Sequence, residues 1–211
     1  MNIVPARGPD TTVILRNRPA ALLCRPASGA DDIMKTVSRY HPLLVTLHWI
    51  LAVLIIAMLG VGVFKLDRTA NTDPGKIDLL LAHMSIGMAI LLLMLIRFAV
   101  RLRTARPQPA TTGSPLLDRL APITHYGFYV LIVLMVASGI STAILAGLNY
   151  SVFQHSGEPL PASFRAYPTF IAHATLALLL IILIALHVLA ALYHHVVRRD
   201  GPFRRMGFGQ R

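Results

Sequence analysis

The feature that most constrains this chain is its last long apolar run, residues 168–197, which contains His173 and His187. The two histidines are fourteen positions apart, which at ~100° and ~1.5 Å per residue amounts to nearly four turns of an α-helix. Both imidazoles therefore leave the same face of the predicted helix, about 21 Å apart along its axis. Two histidines on one face at well-separated depths predict two sites that share this helix as a wall.

Three earlier runs share this apolar character, at residues 42–64, 77–100 and 121–148. A helix needs about 20 apolar residues to span a membrane, and each run is long enough. The chain is 55% hydrophobic and 14% charged, with a mean hydropathy of +0.63, which is too apolar for an ordinary soluble domain. The predicted fold is an all-α membrane protein, a four-transmembrane-helix bundle that forms one domain over residues 34–208.

The formal net charge of +11 raises the question of nucleic-acid binding. We exclude nucleic acid as a partner because the basic residues lie at the ends of apolar runs and not on a patch interleaved with exposed aromatic residues. Sixteen Lys and Arg residues fall on the amino-terminal arm, the middle link and the tail. The other two links carry only four: Lys65, Arg68, Lys76 and Arg165. The positive-inside rule therefore predicts that both termini face the cytoplasm.

The segment before the first span, residues 1–33, is rich in Arg, Pro and Gly and has one short apolar stretch. That stretch is too short for the core of a signal peptide, so we interpret the segment as a disordered cytoplasmic arm. An alternative is that translation starts at Met34, directly ahead of the first span. The intact mass of the natural product distinguishes the two starts.

Cysteine use restricts the cofactor chemistry, because Cys24 is the one cysteine. The chain therefore has no disulfide framework, no CxxC metal site and no CxxCH motif for covalent haem. Any redox cofactor must be held by other ligands, and nine histidines are the abundant candidates. Haem iron takes imidazole readily as an axial ligand.

The depths of four histidines match in pairs. His48 lies early in the first span, which enters from the cytoplasmic side, so it belongs to the inner half of the bilayer, as does His187 late in the fourth span. His83 and His173 lie near the starts of the two spans that run inward, so both belong to the outer half. Neutral imidazoles in lipid are costly unless they are occupied. The matching predicts two haem groups stacked between the helices, with His48 and His187 ligating one iron and His83 and His173 the other.

Three further residues keep two interpretations each. His125, at the inner start of the third span, is a reserve iron ligand that could replace His48 or His187; otherwise it is a packing group or supports a ligand. Arg97, about one turn inside the end of the second span, either pairs with a haem propionate or snorkels to lipid headgroups. His194 shares a helix face with His187 and either hydrogen-bonds a quinone or takes up protons, or lies beside lipid headgroups.

Over roughly residues 34–208 the sequence resembles the bacterial cytochrome b561 family of small four-helix dihaem cytochromes. The residues that carry the resemblance are Ser38-Arg39 ahead of His48-Trp49, His83 with Gly87, Arg97 with Arg101 and Arg103, His125 with Tyr129, Gly139, His173, His187, and the ending 190–195 followed by Asp200 and 204–206. The resemblance implies two noncovalent haem b groups, with the four paired histidines as their axial ligands. It also implies electron exchange with ubiquinone in the bacterial inner membrane and, for some members, oxidation of superoxide at the outer face. The outer link 149–167 has no motif that matches the family.

The leading hypothesis is a conduit that carries electrons across the membrane through two b haems, between an outer donor such as superoxide and ubiquinone at the inner side. A second hypothesis is a cytochrome b anchor subunit that links a hydrogenase or dehydrogenase partner to the quinone pool. A third is a haem-free transporter whose histidines relay protons or bind metal. A strong Soret band in the purified protein would remove the third hypothesis, and a copurifying soluble subunit would favour the second.

Overall fold

Four long helices form the framework of the protein. The computed structural model describes residues 39–105, 107, 115–154 and 156–199, so the predicted arm 1–33 and the alternative start at Met34 lie outside the described residues. The helices are α1 Pro42–Val61, α2 Gly75–Arg103, α3 Pro115–Leu145 and α4 Pro168–Tyr193. Each contains a window apolar and long enough to cross a membrane. The predicted all-α four-helix membrane fold is confirmed.

The first and last helices begin where the sequence places them. Pro42 and Pro168 occupy the first turns of α1 and α4, where a missing N–H costs nothing. At α1 the Nδ1 atom of His41 also accepts a hydrogen bond from the Leu43 backbone N–H at 3.2 Å. Each of these helices is prolonged by a wider, π-helical turn, Gly62–Leu66 after α1 and His194–Arg198 after α4.

The third helix begins earlier than the sequence pattern predicts. It starts at Pro115 instead of residue 121 and continues through Pro122. A proline at the first helical position is favourable, and an internal proline removes one backbone hydrogen bond without necessarily ending the helix. The charged residues Asp118 and Arg119, which precede the predicted run 121–148, are therefore part of α3.

The helices pack unevenly around a central apolar layer. α1 packs along α2 and α3 along α4, whereas the backbone of α4 makes few close approaches to α1 or α2. Leu180, midway between His173 and His187 and about 10 Å from each along the axis, is 1% exposed. It packs into a layer to which all four helices contribute: Leu51, Ile90, Met94, Tyr129, Ile132 and Leu180. This layer separates the bundle into two halves.

The two ends of the bundle differ in construction. At one end the chain turns back through residues 62–74 and 146–167; we call this the loop end. At the other end α1 and α3 begin and α2 and α4 finish, and we call it the tail end. A second apolar cluster closes the loop end around Leu80, Ala143, Leu148 and Val152.

Two polar contacts join the links of the loop end to each other. Arg165 forms an ion pair with Asp67, with Nη2 of the arginine 3.0 Å from Oδ1 of the aspartate. The Nδ2 atom of Asn71 donates a hydrogen bond to the Pro161 carbonyl at 2.6 Å. The links after α1 and α3 are therefore held together across the end of the bundle.

Candidate functional site

Four histidines inside the helices face one another as two pairs. At the loop end His83 of α2 faces His173 of α4, with ring centres 6.1 Å apart. At the tail end His48 of α1 faces His187 of α4, with ring centres 6.5 Å apart. The structure thus brings together the same residues that depth matching pairs in the sequence. Both pairs use α4, the helix whose backbone stands apart from α1 and α2.

The spacing of each pair fits two axial ligands of one metal ion. An imidazole nitrogen lies about 2 Å from a bound metal and about 1 Å from its own ring centre, so two rings on opposite sides of the metal have centres about 6 Å apart. The observed 6.1 Å and 6.5 Å agree with this value. Haem iron commonly takes histidine as an axial ligand, and the residues present fit that group.

The loop-end pair contains an imidazole with a defined tautomer. The Nδ1 atom of His173 lies 2.9 Å from the Met135 carbonyl oxygen and 3.3 Å from the Ser138 hydroxyl. Because a carbonyl can only accept, this nitrogen carries the hydrogen and the other ring nitrogen keeps its lone pair. A ligating histidine is normally held in this way, so His173 is prepared to bind a metal through Nε2.

The other member of the loop-end pair has a polar atom with no protein partner. The Nδ1 atom of His83 is buried and makes no hydrogen bond within the described residues. Burying an unsatisfied nitrogen costs about 1–3 kcal/mol. The edge of the ring faces Gly62, where an added Cβ would lie 4.0 Å from Cε1. The ring therefore lies beside the turn that follows α1, and no residue of the described ranges hydrogen-bonds its Nδ1 atom.

The tail-end pair is surrounded by further rings. His125 and Phe128 of α3 both stand perpendicular to His187, with ring centres 5.6 Å and 5.3 Å away. Trp49 lies beside His48 with ring centres 5.3 Å apart. The reserve ligand His125 belongs to the tail-end group, and its ring centre lies nearer to that of His187 than the ring centre of His48 does, at 5.6 Å against 6.5 Å. The ring distances therefore leave both His48 and His125 as residues that face His187.

Arg97 points into the bundle at the tail end. Its Nη1 donates a hydrogen bond to the Tyr129 hydroxyl at 2.8 Å, and Tyr129 is 8% exposed. Its Nε is buried without a hydrogen-bond partner in the described part of the chain, and the guanidinium interacts electrostatically with His48 and His187. This orientation argues against snorkelling to the headgroups and leaves a buried N–H donor beside the tail-end pair.

His194 occupies the first position of the π-helical turn that follows α4. It is half-buried, and the ring of Tyr193 lies 5.9 Å from its own. Its place at the tail end, seven positions beyond His187, is the one that the sequence predicts. It stands apart from the facing pairs, closer to the end of the bundle.

A regular spacing in the sequence could have located the other residues around these pairs. The paired histidines and their neighbours occur in twos, fourteen positions apart along each helix or the turn that prolongs it: His48 and Gly62, His83 and Arg97, His125 and Gly139, His173 and His187. Fourteen residues keep one helix face and advance about 21 Å. The loop-end level therefore consists of Gly62, His83, Gly139 and His173, and the tail-end level of His48, Arg97, His125 and His187.

The arrangement differs from that of a metal site built from protein ligands alone. Within residues 39–105, 107, 115–154 and 156–199, no three or more His, Cys, Asp or Glu side chains form a group that could hold a metal ion. Zinc sites need three or four protein ligands, whereas haem iron takes its remaining ligands from the porphyrin. Facing pairs are the pattern of axial haem ligation.

A four-helix membrane bundle with paired intramembrane histidines is the architecture of b-type membrane cytochromes. Residues 39–209 match the family model described as prokaryotic cytochrome b561, and the chain belongs to that family. It is 28% identical over 175 residues to a probable superoxide oxidase CybB of Yersinia pestis, an alignment that covers 80% of this chain and 95% of the relative. It is 26% identical over 179 residues to cytochrome b561 homolog 2 of Escherichia coli strain K12, covering 81% and 92%.

Membership of this family makes the chain a bacterial membrane protein of electron transfer that uses b-type haem. The resemblance noted in the sequence is therefore confirmed over nearly the predicted range.

Proposed function

We propose that the protein carries electrons across the membrane through two noncovalent b haems, between a donor at the loop end and ubiquinone at the tail end. His83 and His173 would hold one haem, and His48 and His187 the other. The observation that carries this proposal is the presence of two facing histidine pairs at two levels, with ring centres 6.1 Å and 6.5 Å apart. Haem bound at each level would supply a one-electron redox centre.

The surrounding residues have separate roles in this proposal. The Leu180 layer lies between the two levels, and its apolar side chains would keep water from passing between them. Because Arg97 donates to the oxygen of Tyr129, the tyrosine O–H remains able to donate elsewhere. Together with the buried Nε of Arg97, this O–H would bind a haem propionate at the tail-end level.

The orientation follows from the charges. Lys and Arg are concentrated at the tail end and on the segments that continue from it, whereas the two loop-end links hold only four of the twenty. The tail end therefore faces the cytoplasm and the loop end faces the outside. Ubiquinone would be reduced at the tail end, with His194 as the residue that hydrogen-bonds a quinone carbonyl.

The loop end is the side at which an external donor would deliver its electron. Superoxide is the candidate that the name of the Yersinia pestis relative supplies. Two of the four basic groups of the loop-end links are engaged by polar contacts within the protein: Arg165 pairs with Asp67, and the ammonium of Lys76 donates to the backbone carbonyls of Leu66 and Thr69. We therefore expect weak electrostatic steering of an anionic donor, with little dependence of its association rate on salt.

Stopped-flow spectroscopy tests the function. The purified protein is mixed with superoxide in one series and with ubiquinol in another, and the haem absorbance is followed. We expect ubiquinol and at least one outer donor to reduce the haems of the wild type. His83→Ala should slow reduction by the outer donor, whereas the control His195→Ala, at the exposed interface, should not. Failure of both donors to reduce the wild type would contradict the proposal. A soluble subunit that copurifies and reduces the haems would show that the outer donor is a partner protein and not superoxide.

A further inference from the structure

α3 carries none of the four proposed ligands, yet it touches both imidazoles of α4. We propose that α3 is the positioning helix of the two centres: Gly139 and the Met135 carbonyl set the orientation of His173, and His125 with Phe128 sets the orientation of His187. The inference rests on the proposed function and deepens it, because it names the residues that fix how each ligand meets its iron. His125 is on this account a positioning residue and not an iron ligand.

At the loop-end level the close approach of α3 depends on a glycine. A Cβ added at Gly139 would lie 3.2 Å from Cε1 and 3.3 Å from Nδ1 of His173, closer than ordinary van der Waals contact. The same ring makes its hydrogen bond to the Met135 carbonyl at 2.9 Å. An alanine at this position would push the imidazole away from α3 and weaken that bond. Gly139 therefore lets one backbone carbonyl hold both the tautomer and the rotation of the ligand.

At the tail-end level α3 uses rings in place of a backbone carbonyl. His125 and Phe128 are three positions apart and lie on one helix face. Their rings meet His187 at interplanar angles of 89° and 86°. Two perpendicular rings packed against one imidazole restrict its rotation about the bond to Cβ, because turning the imidazole toward α3 brings it into them. Ring shape, and not a particular nitrogen of His125, is what this contact requires.

The seam between α3 and α4 provides a matched control. Gly127 also faces α4, but a Cβ added there would lie 3.7 Å from Cδ2 of Leu183, an ordinary contact with a flexible side chain. Gly139→Ala and Gly127→Ala are therefore the same substitution on the same seam, and only the first disturbs an imidazole. For the tail-end level, His125→Phe keeps a ring and His125→Ala removes it.

The test measures haem content, separate midpoint potentials and the electron paramagnetic resonance signals of the ferric haems in the full-length protein. His83→Ala and His48→Ala first assign one signal to each level. We expect Gly139→Ala to alter the loop-end signal and to lower the affinity of that level for haem about tenfold, while Gly127→Ala leaves both signals as in the wild type. We expect His125→Ala to retain two haems at saturating haem and to alter only the tail-end signal, and His125→Phe to restore it.

The opposite results overturn the inference. Wild-type signals in Gly139→Ala, or an equal change in Gly127→Ala, would remove the role of Gly139. Three results would remove the role of His125 as a positioning ring. His125→Ala could leave the signals unchanged, it could give the same signals as His125→Phe, or it could lose a whole haem. If the wild type binds no haem, the proposed function fails and this inference with it. If His83→Ala and His48→Ala each lose one haem while the α3 variants change nothing, only this inference fails.

Discussion

The loop-end and tail-end levels each hold one facing pair of histidines, but the surroundings of the two pairs differ. At the loop-end level the two remaining helices contribute Gly62 and Gly139, which leave the imidazoles against backbone. At the tail-end level they contribute Arg97 and His125, a cation and a ring, near His48 and His187. One spacing rule therefore places both histidine pairs, and the residues at the partner positions give each pair different surroundings.

In the proposed function, the cation would give the two haem levels different affinities for an electron. A positive charge beside a redox centre favours its reduced form, so Arg97 would raise the midpoint potential of the tail-end haem relative to the loop-end haem. Electrons are therefore expected to move from the loop end to the tail end, toward the proposed quinone site.

The largest effect is expected from removal of a ligand. His83→Ala and His173→Ala should each reduce the haem content from two to one per chain, and both should lose the same spectral component. The reason is that one imidazole alone leaves an axial position of the iron without its protein ligand. Pyridine haemochrome quantification and reduced-minus-oxidised spectra measure the loss. Retention of both haems in either variant would mean that the pairing is wrong.

The next effect concerns the layer that separates the levels. Leu180→Ala should lower the free energy of unfolding by about 2–5 kcal/mol, because the residue is fully buried and its truncation leaves a cavity. Leu178, 57% exposed on the same helix, is the control, and its replacement by alanine should change stability by less than about 0.5 kcal/mol. Thermal or denaturant unfolding in detergent, followed at both spectral components, measures the difference. Equal losses in the two variants would show that Leu180 does not join the helices.

A smaller effect is expected from the charge difference itself. Arg97→Leu should lower the midpoint potential of the tail-end component by several tens of millivolts and leave the loop-end component unchanged. Arg101→Leu, one turn further along α2 and stacked over Tyr126, should cause a smaller shift. Potentiometric titration resolves the two components. An unchanged tail-end potential in Arg97→Leu would remove the proposed direction of electron flow.

The smallest effect belongs to the ion pair of the loop end. Asp67→Asn should cost less than about 1 kcal/mol of stability, because the side chains of Arg165 and Asp67 are 71% and 50% exposed and exposed pairs contribute little. The loss should shrink further in high salt. Unfolding measured at low and high ionic strength checks both statements. A loss of several kcal/mol would show that the loop-end links are held by charge and not by the apolar cluster beneath them.

Much of this arrangement could be predicted from the sequence, for physical reasons that also explain what was missed. Apolar length gave the four helices, and the spacing of His173 and His187 gave the two levels. The start of α3 at Pro115 was missed, because Pro122 resembles a helix start. The contact between His173 and the Met135 carbonyl was missed as well, since it depends on how α3 is rotated about its own axis. For Arg97 the sequence leaves a haem propionate and the lipid headgroups as alternative partners, because the observed partner, Tyr129, lies on another helix.

Haem quantification in paired double variants tests the central claim most directly. His83→Ala/His173→Ala removes both residues of one level, and His83→Ala/His48→Ala removes one residue from each. The account predicts one haem per chain in the first variant and none in the second. Loss of both haems in the first, or one retained haem in the second, would contradict the assignment of one haem to each facing pair.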